Sequence, residues 1–272
     1  MNIIGQKQLL NTIDRSIKKG FPRFVIIIGP TGSGKKTMCK YIADQLGIDM
    51  IIGENKVESV RETINRAHAE PISTLYVFQD IEEMSQNAMN ALLKITEEPL
   101  KTSYFILTTS DQSRILETLI SRGIVLRMNP YSPMDIKEIV QHNDYNLPPS
   151  EMKLMESLCD NPGDLDLFIS YGIQEFYDYC EQVLDNIGEV DGCNAFKVLK
   201  PIAIKKDSGW DIGLFLKTIA YIAYQRNIAE YNKQMSEVVT LCSKYSNKLK
   251  STKGINRQMV MDNWVLNMRE VL

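Results

Sequence analysis

Apolar and polar positions follow two different periods along this chain, and only one of them continues past its middle. In the first half, compact apolar runs stand at Phe24–Ile28, Leu75–Phe78, Tyr104–Leu107 and Ile124–Met128, with Ile48–Ile52 as a further strand. All of these read as strands, and Phe24–Ile28 and Tyr104–Leu107, continuous apolar runs, as strands buried on both faces of a parallel sheet. Between them apolar residues recur at helical spacing. Asn2–Lys19 carries Ile4, Leu9, Leu10, Ile13 and Ile17 near one face, and Met38–Leu46 continues from a glycine-rich stretch. Val57, Val60, Ile64 and Ala67 mark another helix, with Asn55 and Glu58 spaced as its cap. Ser85 to Glu98, stopped by Pro99, carries a buried stripe of Ala88, Leu92 and Ile95, with Ser85 as cap and Met84 and Met89 as a hydrophobic staple. Ile115–Ile120 reads as a short helix. Strands alternating with helices predict a doubly wound α/β sheet.

After Met128 only the helical period remains. Pro130 and Pro133 mark the exit from the sheet. Met134–Gln141, Pro149–Asp160 and Asp164–Tyr171 read as a small helical module, split by Asn143–Pro149 and by Asn161-Pro162-Gly163. Further helices are expected at Ile173–Ile187, Asn194–Lys205, Asp211–Tyr231, Met235–Lys250 and Ile255–Leu272. Tyr221, Tyr224 and Tyr231 are read as core or subunit contact. The last helix is apolar on two faces, Val260, Trp264 and Val271 against Met261, Val265, Met268 and Leu272, so it wants partners on both sides. The expected division is 1–129, 130–172 and 173–272.

Composition narrows the function classes. The 272 residues are 44% hydrophobic and 24% charged, an ordinary balance for a soluble protein with a sizeable core. A net charge of −3 argues against a chain that grips nucleic acid by itself. No apolar run approaches the ~18 residues of a membrane span, and the first residues lack a signal-peptide pattern, so a cytoplasmic protein with no membrane partner is expected. The five cysteines, Cys39, Cys159, Cys180, Cys193 and Cys242, form no Cys-x-x-Cys pair. Neither a disulfide framework nor a zinc site is expected.

The candidate chemistry starts at Gly29-Pro30-Thr31-Gly32-Ser33-Gly34-Lys35-Lys36-Thr37, between a strand and a helix. That is the context of a phosphate-binding loop, whose amides point inward at phosphate oxygens with the helix dipole behind them. Lys35 supplies charge for the outer phosphates. The position after it normally carries the hydroxyl that holds magnesium; here it is Lys36, and Thr37 lies about 100° further round the helix. The loop is intact as an anion cradle for ATP or ADP and defective as a magnesium site. After the strand Leu75–Phe78 a P-loop ATPase places an acid for magnesium and often a second acid to activate water. Here the pair is Gln79-Asp80, and Asp80, Glu82 and Glu83 read more simply as a solvated acidic turn. Ser110 stands at the C-terminal tip of Tyr104–Leu107, where open α/β sheets bind ligands. Arg122 follows the short helix at Ser121-Arg122-Gly123.

Together the segments Gly29–Thr37, Val60–Pro71, Asn90-Ala91-Leu92-Leu93-Lys94 with Glu97-Glu98-Pro99, and Ser121-Arg122-Gly123 resemble bacterial DNA-polymerase III clamp-loader subunits. The pattern is most similar to the delta-prime family, with gamma/tau and the replication factor C small subunits also similar. The resemblance covers the first half by motif and the second by architecture. It implies an AAA+ nucleotide-binding domain, a small helical lid and a helical collar that holds a pentameric ring with other clamp-loader subunits. It implies a sliding clamp and primed DNA as partners of the assembled complex. It also implies that Arg122 acts as an arginine finger in the neighbouring subunit's ATP site, with Gly123 where the family carries cysteine. Three positions depart from the ATP-hydrolysing relatives: Lys36, Gln79, and Asp166 at the place of the lid arginine. The departures fit a delta-prime-like stator that supplies its finger in trans. A gamma/tau-like motor using Lys35, Asp80 and Ser110 is the second reading. A P-loop phosphotransferase is the third, and it gives Arg122 no role.

Overall fold

The computed structural model describes residues 3–97, 102–188, 210–251 and 256–272. Glu98-Pro99, the helix expected at Asn194–Lys205, Cys193 and the expected first residue of the last helix, Ile255, lie outside the described residues. Two compact units emerge, one formed by Met1–Asn146 with Asp160–Gly163, the other by Leu147–Cys159 with Asp164–Leu272.

The first unit is built on five parallel strands: β1 (Phe24–Ile28), β2 (Asp49–Gly53), β3 (Thr74–Phe78), β4 (Tyr104–Thr109) and β5 (Ile124–Arg127), in the order β2-β3-β4-β1-β5. β1 and β3 are buried at every position, as their unbroken apolar runs require. Because successive side chains point to opposite faces, each strand feeds two cores. Val25, Ile27, Leu75, Val77 and Ile106 pack with residues of α1 (Lys7–Lys19) and α2 (Lys35–Leu46), such as Ile13, Met38 and Ile42. Ile26, Tyr76, Phe78, Phe105 and Leu107 pack on the other face with residues of α3 (Val57–Ala69) and α4 (Gln86–Glu97), such as Val60, Ile64, Leu92 and Ile95. Helices on both faces of a parallel sheet give the expected α/β class. α5 (Glu117–Ile120) and α6 (Pro133–His142) complete the helices of this unit.

Local differences from the sequence expectation have local causes. α1 starts at Lys7, because Gly5 takes a left-handed turn with φ +77°. The expected helix Ile115–Ile120 shortens to α5, since Ile115 is extended and a 3-10 turn, Gln112–Arg114, precedes it. Asn55 does not cap α3; Lys56 occupies that position, and the Asn55 amide instead donates to the Gln79 carbonyl at 2.8 Å. The cap expected before α4 is present, with Ala88 N donating to Ser85 Oγ at 3.3 Å, and both Met84 and Met89 are buried.

The second unit is helical: α7 (Pro149–Leu158), most of α8 (Pro162–Tyr171), α9 (Ile173–Asn186), α10 (Ile212–Ala229), α11 (Lys233–Ser251) and α12 (Arg257–Val271). Its core holds an aromatic group. Trp210 meets Phe176 edge-on at 5.0 Å and Tyr179 at 4.9 Å, and Phe215 meets Trp264 at 5.4 Å. On α12, Val260, Trp264, Met261, Val265 and Met268 are all buried, so both apolar faces are used. Tyr224 and Tyr231 are exposed and are not core residues. None of the described helices is long and apolar enough to cross a membrane.

Candidate functional site

The C-terminal ends of β1, β3 and β4 are neighbours in the sheet, and each delivers one part of the site. β1 runs straight into the loop 29–34, and α2 begins at Lys35. Gly32 and Gly34 have φ of +80° and +84°, values that L-residues with side chains rarely adopt, so the curl of the loop depends on glycine. Lys35 is buried, and its ammonium donates to Gly29 O at 2.8 Å and Pro30 O at 3.0 Å. Burial lowers its pKa from the ordinary lysine value, opposed by the charges of Asp80 and Glu82. Lys36 is exposed and Thr37 half-buried on the first turn of α2.

β3 ends in Gln79 and Asp80. Gln79 is half-buried, and its side-chain nitrogen is buried without a hydrogen-bond partner. Asp80 is exposed, has φ +48°, and its amide donates to the Thr108 hydroxyl at 3.3 Å. That left-handed residue turns the chain into a 3-10 turn, Ile81–Glu83.

The reading of this turn as wholly solvated is overturned at Glu82, which is buried. Its carboxylate accepts from the Ser110 amide at 2.9 Å and from the Ser110 hydroxyl. Burial alone would raise its pKa, but the bonds from Ser110, with help from Thr109, outweigh it and hold the carboxyl below the usual glutamate value. Ser110, expected as a free polar tip, is therefore committed to Glu82. Sequence reasoning missed this role of Glu82, because its partner Ser110 stands 28 residues further along the chain.

Arg122 follows α5 and is exposed; its guanidinium donates to the Thr118 carbonyl at 3.1 Å. Among the described residues it makes no ion pair. Gly123 packs against β1: a Cβ there would lie 3.0 Å from both Phe24 Cε1 and Ile26 Cγ1. The structure therefore brings Lys35, Asp80 and Ser110 to one end of the sheet and leaves Arg122 facing solvent. Asp166 is exposed on α8, whose buried residues are Leu165 and Phe168. Among the described residues no three His, Cys, Asp or Glu side chains gather as a metal site, and the four described cysteines are buried and form no disulfide with one another.

As a chemical device, the loop can hold phosphates through its amides and Lys35. Magnesium needs oxygen ligands in octahedral geometry. An ammonium at position 36 and a carboxamide at 79 fit it poorly.

Comparison with known proteins bears out the resemblance read from the motifs. The family model described as DNA polymerase III, delta subunit, matches residues 48–132. The DNA polymerase III subunit gamma of Buchnera aphidicola from Acyrthosiphon pisum is 26% identical over 248 residues, covering 76% of this chain and 68% of that protein. Subunit delta′ of Bacillus subtilis is 29% identical over 110 residues, or 40% of this chain and 33% of that protein. Subunit delta′ of Buchnera aphidicola from Baizongia pistaciae is 26% identical, with 81% and 71% covered. Among solved structures, the Holliday junction branch migration motor RuvB of Thermotoga maritima aligns with a TM-score of 0.51 at 17% identity, over 82% of this chain and 78% of that one. That last likeness concerns the fold alone. The relatives carry both gamma and delta′ names, so the site itself has to discriminate between them.

Proposed function

We propose that this chain is a subunit of a DNA-polymerase sliding-clamp loader, a delta-prime-like stator acting in DNA replication. Its division into an AAA+ domain (1–129), a helical lid (130–172) and a collar (173–272) belongs to the same reading. The collar would join other clamp-loader subunits in a pentameric ring, and the assembled ring would act on the sliding clamp and on primed DNA. The reading is carried by one contrast: a phosphate loop complete in its glycines and Lys35 stands beside Lys36 and Gln79, two groups unsuited to magnesium, while Arg122 projects into solvent. An exposed arginine at the end of a short helix is suited to a neighbour's nucleotide, where it would neutralise charge on the transferring phosphoryl group. ATP or ADP held here would be a static ligand, with its phosphates on the loop amides and Lys35.

One observation favours the second reading, a gamma/tau-like motor. Lys35 is buried within electrostatic reach of both Asp80 and Glu82, so acidic groups do face the loop. Titration of the purified chain with labelled ATP, with and without magnesium, followed by a turnover assay, separates the two. The stator reading expects no binding or magnesium-indifferent binding, and no turnover. Tight magnesium-dependent binding with steady turnover overturns it in favour of the motor.

A further inference from the structure

The tripeptide Asn161-Pro162-Gly163 lies far along the chain from the phosphate loop, yet it belongs to the first unit. The Gly163 amide donates to Gly32 O at 3.0 Å and also faces Asn161 Oδ1 at 2.9 Å. Asn161 is buried. The approach is backbone against backbone: a Cβ on Gly32 would lie 2.5 Å from Asn161 Oδ1 and 2.9 Å from Gly163 Cα, and a Cβ on Gly163 would lie 2.5 Å from Gly32 Cα. Distances below 3.0 Å are essentially never met by real Cβ atoms; Asn161 Oδ1 is a side-chain end, but Gly163 Cα and Gly32 Cα are backbone and cannot swing away.

Three other carbonyls of the loop are also tied by the protein's own donors. Lys35 Nζ reaches Gly29 O and Pro30 O, the Ser33 amide reaches Pro30 O at 3.2 Å, and the Tyr131 hydroxyl reaches Ser33 O at 3.0 Å. At the start of the loop, a Cβ on Gly29 would run into the Met128 side chain at 2.6 Å. Two of the three glycines are thus required by packing within the unit, and Gly34 by its φ. None of these requirements involves a phosphate.

We infer that Asn161 with the first residues of α8, Pro162 and Gly163, is a latch on the crest of the phosphate loop, and that the loop's glycines and lysine maintain its curl as a structural element independently of nucleotide. The latch gives the retained loop a role even in a chain that hydrolyses nothing, and it does not depend on the clamp-loader reading. Because the carbonyls of Gly32 and Ser33 are engaged, the peptide planes that carry the Ser33 and Gly34 amides are held, and the Ser33 amide is itself bonded to Pro30 O. Nucleotide then meets a loop already formed.

The test is amide hydrogen exchange by NMR on the full chain without nucleotide. The latch predicts that the Gly163 amide exchanges at least ~100-fold more slowly than an unstructured amide, as a bond inside a cooperative unit does. Gly32→Ala should abolish that protection while the sheet amides of β1 and β4 stay protected. If Gly32→Ala does not fold, Asn161→Ala decides, since it removes the buried amide that braces the latch. It should lower Gly163 protection by about tenfold with little change in the sheet. Unprotected Gly163 in the nucleotide-free chain, protection gained only on adding ATP, or unchanged protection in the folded variants would each overturn the latch. A chain that binds ATP and turns it over while Gly163 is protected without nucleotide would sink the stator reading and leave the latch standing.

Discussion

The Glu82 carboxylate accepts hydrogen bonds from both the backbone amide and the hydroxyl of Ser110, tying the acidic turn after β3 to the tip of β4. Glu82→Ala leaves a strand-end amide without its charged acceptor, and a loss of about 1–3 kcal/mol is expected in denaturant unfolding. The pH dependence has a definite sign. The folded-state pKa of Glu82 is depressed, so its contribution is fully present above the ordinary glutamate value of 4.5 and is lost as pH falls through the lower folded value. The stability gap between the wild type and Glu82→Gln should be flat above pH 4.5 and close below it. A gap that widens with acid contradicts the arrangement.

Phe105 sits on β4, the central strand, stacked on Tyr76 at 5.2 Å and on Phe78 at 6.4 Å, and it is fully buried. Phe105→Ala should cost about 3–5 kcal/mol, the cavity and the lost ring contacts together. Thermal unfolding of the purified variant checks it; a loss under 1 kcal/mol, on the order expected of an exposed position, would contradict the packing.

The sheet was legible because its strands are short apolar runs with no competing period, and β1, β3 and β4 are buried much as such runs require. Boundaries were less legible. Gly5 and Ile115 end or delay helices through backbone conformation, which apolar spacing does not encode. The phosphate loop and Arg122 could be read as residues, since each depends on local sequence. Glu82 could not, because its partner stands just past the end of another strand, 28 residues away. Likewise Asn161-Pro162-Gly163 reads as a break between helices, and its contact with Gly32 exists only in the fold.

In the helical unit, the Asp211 carboxylate accepts from the Leu214 amide at 2.9 Å and so caps α10. Its own amide receives no help from the cap; it donates to the Tyr171 hydroxyl at 3.1 Å. Asp211→Ala should destabilise the protein by about 1 kcal/mol, with Asp211→Asn recovering most of it. Equal losses in both variants would show that charge, rather than the cap bond, is what matters there.

Under the proposed stator role this chain exports an arginine while its own site is dispensable, and the direct measurement is the DNA-stimulated ATPase rate of a reconstituted complex containing Arg122→Ala or Lys35→Ala. Arg122 is exposed, so its replacement should leave this chain's stability within about 0.5 kcal/mol of wild type. The rate at the neighbouring site should nevertheless fall steeply, by as much as roughly 10³-fold. Lys35→Ala should lower the complex's rate far less. A complex indifferent to Arg122→Ala, or one crippled equally by Lys35→Ala, would contradict the account.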